Sequence, residues 1–125
     1  MSIPLEIMFV EDDDYLRETM AELLEGPDRR VSACASGEEA LARCAEQPID
    51  VLVTDVSLPG ISGPELARQV LRRHPQVWIV LCSGYAWDRG FESIGPRVRS
   101  LPKPFEIDEM DALLEQARSE KCAAA

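Results

Sequence analysis

The chain has 125 residues, 46% of them hydrophobic and 29% charged, which suits one globular domain whose core needs no disulfide or metal staple. Thirteen Lys and Arg against 23 Asp and Glu leave a formal charge of -10 and a pI near 4.5, a balance that repels nucleic-acid phosphates and anionic lipid and argues against both as partners. Met1 to Val10 lacks the basic start and long apolar run of a leader, no stretch reaches the ~18 apolar residues of a membrane helix, and Cys34, Cys44, Cys82 and Cys122 form no C-x-x-C pair. A soluble cytoplasmic protein without redox or zinc chemistry is expected.

Short β-branched or aromatic runs alternate with helical spacing along the whole chain. Leu5 to Val10 reads as the first strand, and Leu16, Met20, Leu23 and Leu24 recur at helical intervals after it. Val31 to Cys34 is the second strand, followed by Ala40, Leu41, Cys44 and Ala45 on one helical face. The third strand, Ile49 to Thr54, precedes a helix carrying Leu66, Ala67, Val70 and Leu71; the fourth is Val77 to Cys82. Val98 to Leu101 is the fifth, and Ile107, Met110, Leu113, Leu114 and Ala117 mark the last helix. Ser36 with Glu39, and Ser62 with Glu65, each set an oxygen-bearing cap three residues before a Glu, and Pro64 falls in a first turn where its missing N–H costs nothing. Between the fourth and fifth strands, Gly84 to Pro96 carries Gly84, Gly90, Gly95 and Pro96, so its helix is expected to be short or irregular.

The first, third and fourth strands are continuously apolar, as expected when both faces of a parallel sheet are covered by helices. The fold class is therefore α/β, a doubly wound five-stranded parallel sheet. Residues 1–125 read as a single domain with a core of about residues 4–118 and a flexible tail over 119–125, leaving no room for a DNA-binding or enzymatic output module.

Ligands of open α/β sheets bind beyond the carboxyl ends of the strands. Here those ends carry Glu11-Asp12-Asp13-Asp14, Asp55, Ser83 and Lys103-Pro104. Glu11, Asp12 and Asp55, if brought together, repel one another unless a cation neutralises them. Hard carboxylate oxygens without nearby His or Cys select Mg²⁺, which takes one or two carboxylates plus water and phosphoryl oxygens. Lys103 and the Ser83 hydroxyl would answer the charge of a phosphoryl group, and a carboxylate can itself be the nucleophile. Asp55 ends a buried strand and precedes Pro59-Gly60, a pair suited to a type II turn that curls the next loop over the site. Asp13 and Asp14 read as helix-capping and solvent-facing. His74, before Pro75 at a helix end, reads as structural.

FVEDDD, VLVTDVSLPGISG, LCSGYA and LPKPF, in this order and spacing over about residues 4–118, resemble the receiver domain of two-component response regulators. The resemblance implies the flavodoxin-like strand order 2-1-3-4-5. It implies Asp55 as phosphoacceptor, Glu11 and Asp12 as metal-organising acids, the Ser57 carbonyl completing the Mg²⁺ shell, Ser83 as the hydroxyl and Lys103 as the lysine of the site. It also implies a cis Lys103-Pro104 bond. The partners implied are a sensor histidine kinase or histidine phosphotransfer protein and a downstream protein. The chemistry would be self-catalysed phosphotransfer and dephosphorylation, not turnover of an external substrate.

Ser100 stands where many receivers carry a Tyr or Phe whose rotation reports phosphorylation, so coupling must take another route, such as backbone movement over Gly84 to Trp87. Tyr85, two residues past Ser83, would shield the phosphoryl group from water. SGYA, a Gly-rich segment and LPKPF together are similar to receivers attached to hybrid histidine kinases. The alternative is a pseudo-receiver, the same fold used as a phosphorylation-independent binding module. A phosphatase is disfavoured because residue 57 is Ser and not a second Asp.

Overall fold

A computed structural model describes residues 4–84 and 91–124. Five strands, β1 (Leu5–Val10), β2 (Arg29–Cys34), β3 (Val51–Asp55), β4 (Trp78–Ser83) and β5 (Val98–Pro102), form one sheet in the order β2-β1-β3-β4-β5. Every pairing is parallel. The helices are α1 (Asp14–Leu24), α2 (Gly37–Cys44), α3 (Gly63–Arg73) and α4 (Ile107–Ala124), and a single 3₁₀ turn, Phe91–Ile94, precedes β5. The expected doubly wound sheet and its order are both present.

Alternation along the strands divides the core in two. Met8, Leu52, Ile79, Leu81 and Val98 face α2 and α3, where they meet Ala40, Cys44, Leu66, Ala67 and Val70. Ile7, Phe9, Val51, Val53, Val80 and Leu101 face the other way, onto Leu24 of α1 and Met110, Leu114 and Ala117 of α4. Burial on both faces explains the apolar runs Ile7 to Val10, Val51 to Val53 and Trp78 to Cys82, because each alternate residue meets a helix layer instead of water.

Local chemistry sets the helix starts. Ser36 Oγ accepts from Glu39 N at 3.1 Å while Glu39 Oε1 accepts from Ala35 N at 2.9 Å, and Ser62 Oγ accepts from Glu65 N at 3.3 Å. Asp13 caps α1 by accepting from Leu16 N at 2.9 Å. These bonds satisfy N–H groups that have no partner within the helix.

β2 and α4 differ from the sequence reading in extent. β2 begins two residues early, at Arg29, because Arg29 and Arg30 pair with Leu5 and Glu6; two arginines give no apolar signal, and their side chains bond Asp111, Glu115 and Glu6 instead. The expected tail from Ser119 is helical, since α4 runs on to Ala124. Glu120 pairs with Arg97, and Lys121 Nζ donates to Asp50 Oδ2 at 2.7 Å and to the Pro4 carbonyl at 3.0 Å, tying those turns to the amino ends of the strands. In the Gly84 to Pro96 segment the 3₁₀ turn agrees with the short, irregular helix expected; Tyr85 and Trp87 lie outside the described residues.

Candidate functional site

In this strand order the chain leaves β1 for β2 on one side and returns to β3 on the other, so a crevice opens beyond the carboxyl ends of β1 and β3. Val10 and Thr54 are the last partners in that register. The next residues along the two strands are Glu11 and Asp55.

Carboxylate oxygens of Glu11, Asp12 and Asp55 all lie within 4.8 Å of one another. Lys103 Nζ donates to Asp55 Oδ1 at 2.5 Å, although the two residues stand 48 apart in the chain. Ser83 closes β4, between the strands that deliver Asp55 and Lys103, and its carbonyl accepts from Lys103 N at 2.6 Å. The Ser83 side chain is buried. Ser57 is exposed on the loop two residues past Asp55. The Lys103-Pro104 peptide is cis, as expected, and Gly60 has φ +79, the left-handed conformation that the second central residue of a type II turn requires.

Charge is poorly balanced in this pocket. Burial pushes the Glu11 carboxyl up from 4.5 to about 7. Its hydrogen bond from Asp13 N at 3.1 Å works the other way, while the hydrogen bond and charge of Asp55 add to the rise. Burial acts to lower the Lys103 ammonium, but the hydrogen bond and charge of Asp55, then the charge of Glu11, outweigh it, and the net shift is upward. Three carboxylates against one ammonium leave an excess of negative charge that Glu11 relieves by keeping a proton near neutrality. A divalent cation would relieve it in the proton's place, and an all-oxygen donor set suits Mg²⁺.

Three neighbours of the acids escaped the sequence reading. Arg17, one turn into α1, donates to the Glu11 carbonyl at 3.0 Å and to Asp14 Oδ1 at 2.6 Å, bracketing the acidic turn. Gly63 backs directly onto Asp55: a Cβ there would collide with the Asp55 carbonyl oxygen, and Gly63 N donates to Val56 O at 2.9 Å. Glu38, from α2, bonds the loop after Asp55. A glycine directly after the Ser62 cap and the i,i+3 spacing of Asp14 and Arg17 were the available hints; the bonds of Arg17 to the Glu11 carbonyl and of Glu38 to Ile61 N reach outside their own helices and leave no trace in spacing. At Ser100, where the aromatic is missing, the hydroxyl is buried with no hydrogen-bond partner among the described residues.

The fold and this arrangement of acids and lysine define the receiver class, and the comparisons agree. Residues 7–115 match the family model of the response regulator receiver domain. The chain is 31% identical over 121 residues to the DNA-binding transcriptional regulator NtrC of Salmonella typhimurium, covering 90% of this chain and 24% of NtrC, so it spans about a quarter of that relative's length. It is 31% identical over 106 residues to the response regulator receiver protein CpdR of Brucella abortus, covering 83% of this chain and 88% of CpdR. The solved receiver domain of the hybrid histidine kinase CckA superposes with a TM-score of 0.75 at 34% identity, covering 90% of this chain and 98% of that one. The chain belongs to the response regulator receiver family and is a receiver domain of two-component signalling. Among the described residues, no helix is long and apolar enough to cross a membrane.

Proposed function

We propose that this receiver accepts a phosphoryl group on Asp55 from a phosphohistidine of a sensor histidine kinase or a histidine phosphotransfer protein. One observation carries the reading: Lys103 Nζ on Asp55 Oδ1 at 2.5 Å, beside Glu11 and Asp12 with all three carboxylates within 4.8 Å. The likeness to the receiver of CckA, a hybrid histidine kinase, supports such a partner.

Glu11, Asp12, Asp55 and the Ser57 carbonyl would hold Mg²⁺, which when bound supplies positive charge against the phosphoryl oxygens. An Asp55 oxygen attacks phosphorus while the P–N bond to imidazole breaks. The nitrogen keeps the bonding pair and takes a proton from water. Lys103, already hydrogen-bonded to Asp55, moves its ammonium onto a phosphoryl oxygen, and the Ser83 hydroxyl donates a second bond. Attack of water on the acyl phosphate later restores Asp55, so the domain acts on itself and not on an external substrate. The phosphorylated form favours a second conformation only by the contacts it makes there and not in the first, and a downstream protein reads that difference.

The Ser100 hydroxyl, buried and without a hydrogen-bond partner among the described residues, favours one other reading, a phosphorylation-independent binding module, because the aromatic relay is missing. Incubation with Mg²⁺ and acetyl phosphate, read by intact mass, separates the two. One added phosphoryl group that disappears in Asp55→Asn supports the phosphoacceptor. No added mass in the unaltered chain supports the binding module.

A further inference from the structure

The loop that leaves Asp55 and carries Ser57 is gripped at both ends. Near Asp55, Gly63 N holds Val56 O at 2.9 Å. At the far end the grip comes from the first turn of α2. Glu38 Oε2 accepts from Ile61 N at 3.1 Å. The same carboxylate lies against Gly60, so that a Cβ on Gly60 would overlap it. Beside it Gly37, with no side chain, lets the Ile61 side chain press onto the α2 backbone, and Ile61 continues into the core below α2 and α3.

A Glu in the first turn of a helix has an ordinary explanation, since a negative charge there answers the helix dipole. That accounts for the charge and not for where it goes. Among the described residues, Glu38 pairs with no Lys or Arg; its carboxylate goes to the loop instead. The contact joins two elements that the chain separates by 23 residues. It also faces the loop's one left-handed residue, where a change in backbone direction decides how the preceding residues return to the site.

We propose that Glu38 is a positioning residue for the Asp55 site. By fixing Ile61 N–H and packing against Gly60, it sets the course of the loop, and with it the place of the Ser57 carbonyl relative to Asp55. Glu38 touches neither the acids nor the phosphoryl group. It acts as outer partners of metal ligands do, by removing the freedom of a ligand it does not itself replace. The inference rests on the reading of Asp55, Mg²⁺ and the Ser57 carbonyl given above.

Glu38→Ala and Glu38→Gln in the full chain test it. Glu38 is exposed in a first turn and Ala is favourable in helices, so the variant keeps its fold, which the unfolding midpoint in EDTA checks. Mg²⁺ affinity is read by calorimetry and phosphorylation by acetyl phosphate labelling across a Mg²⁺ series. Glu38→Ala is expected to weaken Mg²⁺ about tenfold, with the labelling rate recovering at saturating Mg²⁺. Glu38→Gln keeps an oxygen for Ile61 N–H and is expected to bind Mg²⁺ as the unaltered chain does. Unchanged affinity in Glu38→Ala, or equal losses in both variants, would overturn the positioning role. An unaltered chain that binds no Mg²⁺ and takes no phosphoryl group would instead overturn the reading of Asp55 itself.

Discussion

The Lys103 ammonium meets the Asp55 carboxylate at 2.5 Å although their strands, β5 and β3, do not pair and β4 lies between them. Such a contact exists only because all the strands are parallel and end on one edge, where a long side chain can pass over the end of a neighbour. Sequence distance has no bearing on it.

Removing that cation leaves the acids short of compensation. Lys103→Met is expected to slow acetyl phosphate labelling of Asp55 by at least about a hundredfold, the usual cost of losing one fixed donor to developing negative charge. Time-resolved intact mass at saturating Mg²⁺ measures it. A rate within a few-fold of the unaltered chain would remove Lys103 from the chemistry.

Glu11 should make both folding and metal binding depend on pH. Its carboxyl titrates near 7 in the folded chain against 4.5 as the ordinary value, so between these limits the folded form holds a proton that the unfolded form releases. Stability of the metal-free protein therefore falls as pH rises through that window, by about 1 kcal/mol per unit at its steepest. Mg²⁺ competes with the same proton, so its affinity climbs with pH up to about 7 and then levels off. Calorimetry on either side of neutrality tests this, with Glu11→Gln expected to bind more weakly and to lose the slope. The same slope in Glu11→Gln would assign the proton to another group.

Gly63 admits no side chain. In Gly63→Ala the methyl group meets the Asp55 carbonyl oxygen, and because that oxygen is backbone and a Cβ has no rotamer to escape into, β3 or α3 must move. A loss of about 1–3 kcal/mol is expected from urea unfolding in EDTA, together with slower labelling because Asp55 moves with its own carbonyl. Unchanged stability would show that the two elements separate more freely than their contact implies.

The buried thiols should be inert. Burial, with smaller contributions from Glu39, pushes the Cys34 thiol up to about 11, and burial, then Asp55, pushes Cys82 up to about 12; Cys44 is also raised by burial. In a Cys122→Ser chain, iodoacetamide at mildly alkaline pH is expected to leave the folded protein unmodified and to alkylate Cys34, Cys44 and Cys82 once it is denatured. Alkylation of folded Cys82 would mean that β4 opens readily at its carboxyl end.

Much of the fold was legible because its information is local. β3 and β4 are buried on both faces and announce themselves as apolar runs, and Ser36 and Ser62 mark helix starts because a cap bonds an N–H three residues on. The start of β2 was not legible: Arg29 and Arg30 are in the strand through their backbones, while their side chains answer charges on β1 and α4. The last turns of α4 were hidden for the same reason, since Glu120 and Lys121 are held by Arg97, Asp50 and the Pro4 carbonyl and not by an apolar stripe.

At the site, the residue types at the strand ends pointed to cation-dependent phosphoryl chemistry, since acids, a hydroxyl and a lysine there serve no apolar core. The sequence by itself determined which side chains the parallel strands would deliver to one edge, because strand direction and burial follow from hydrophobic periodicity. Only the tertiary structure decided their mutual distances, the raised titration of Glu11 and the contacts of Arg17, Gly63 and Glu38. Those depend on how separate elements dock, and contact, burial and electrostatic field are properties of that docking and not of any one segment.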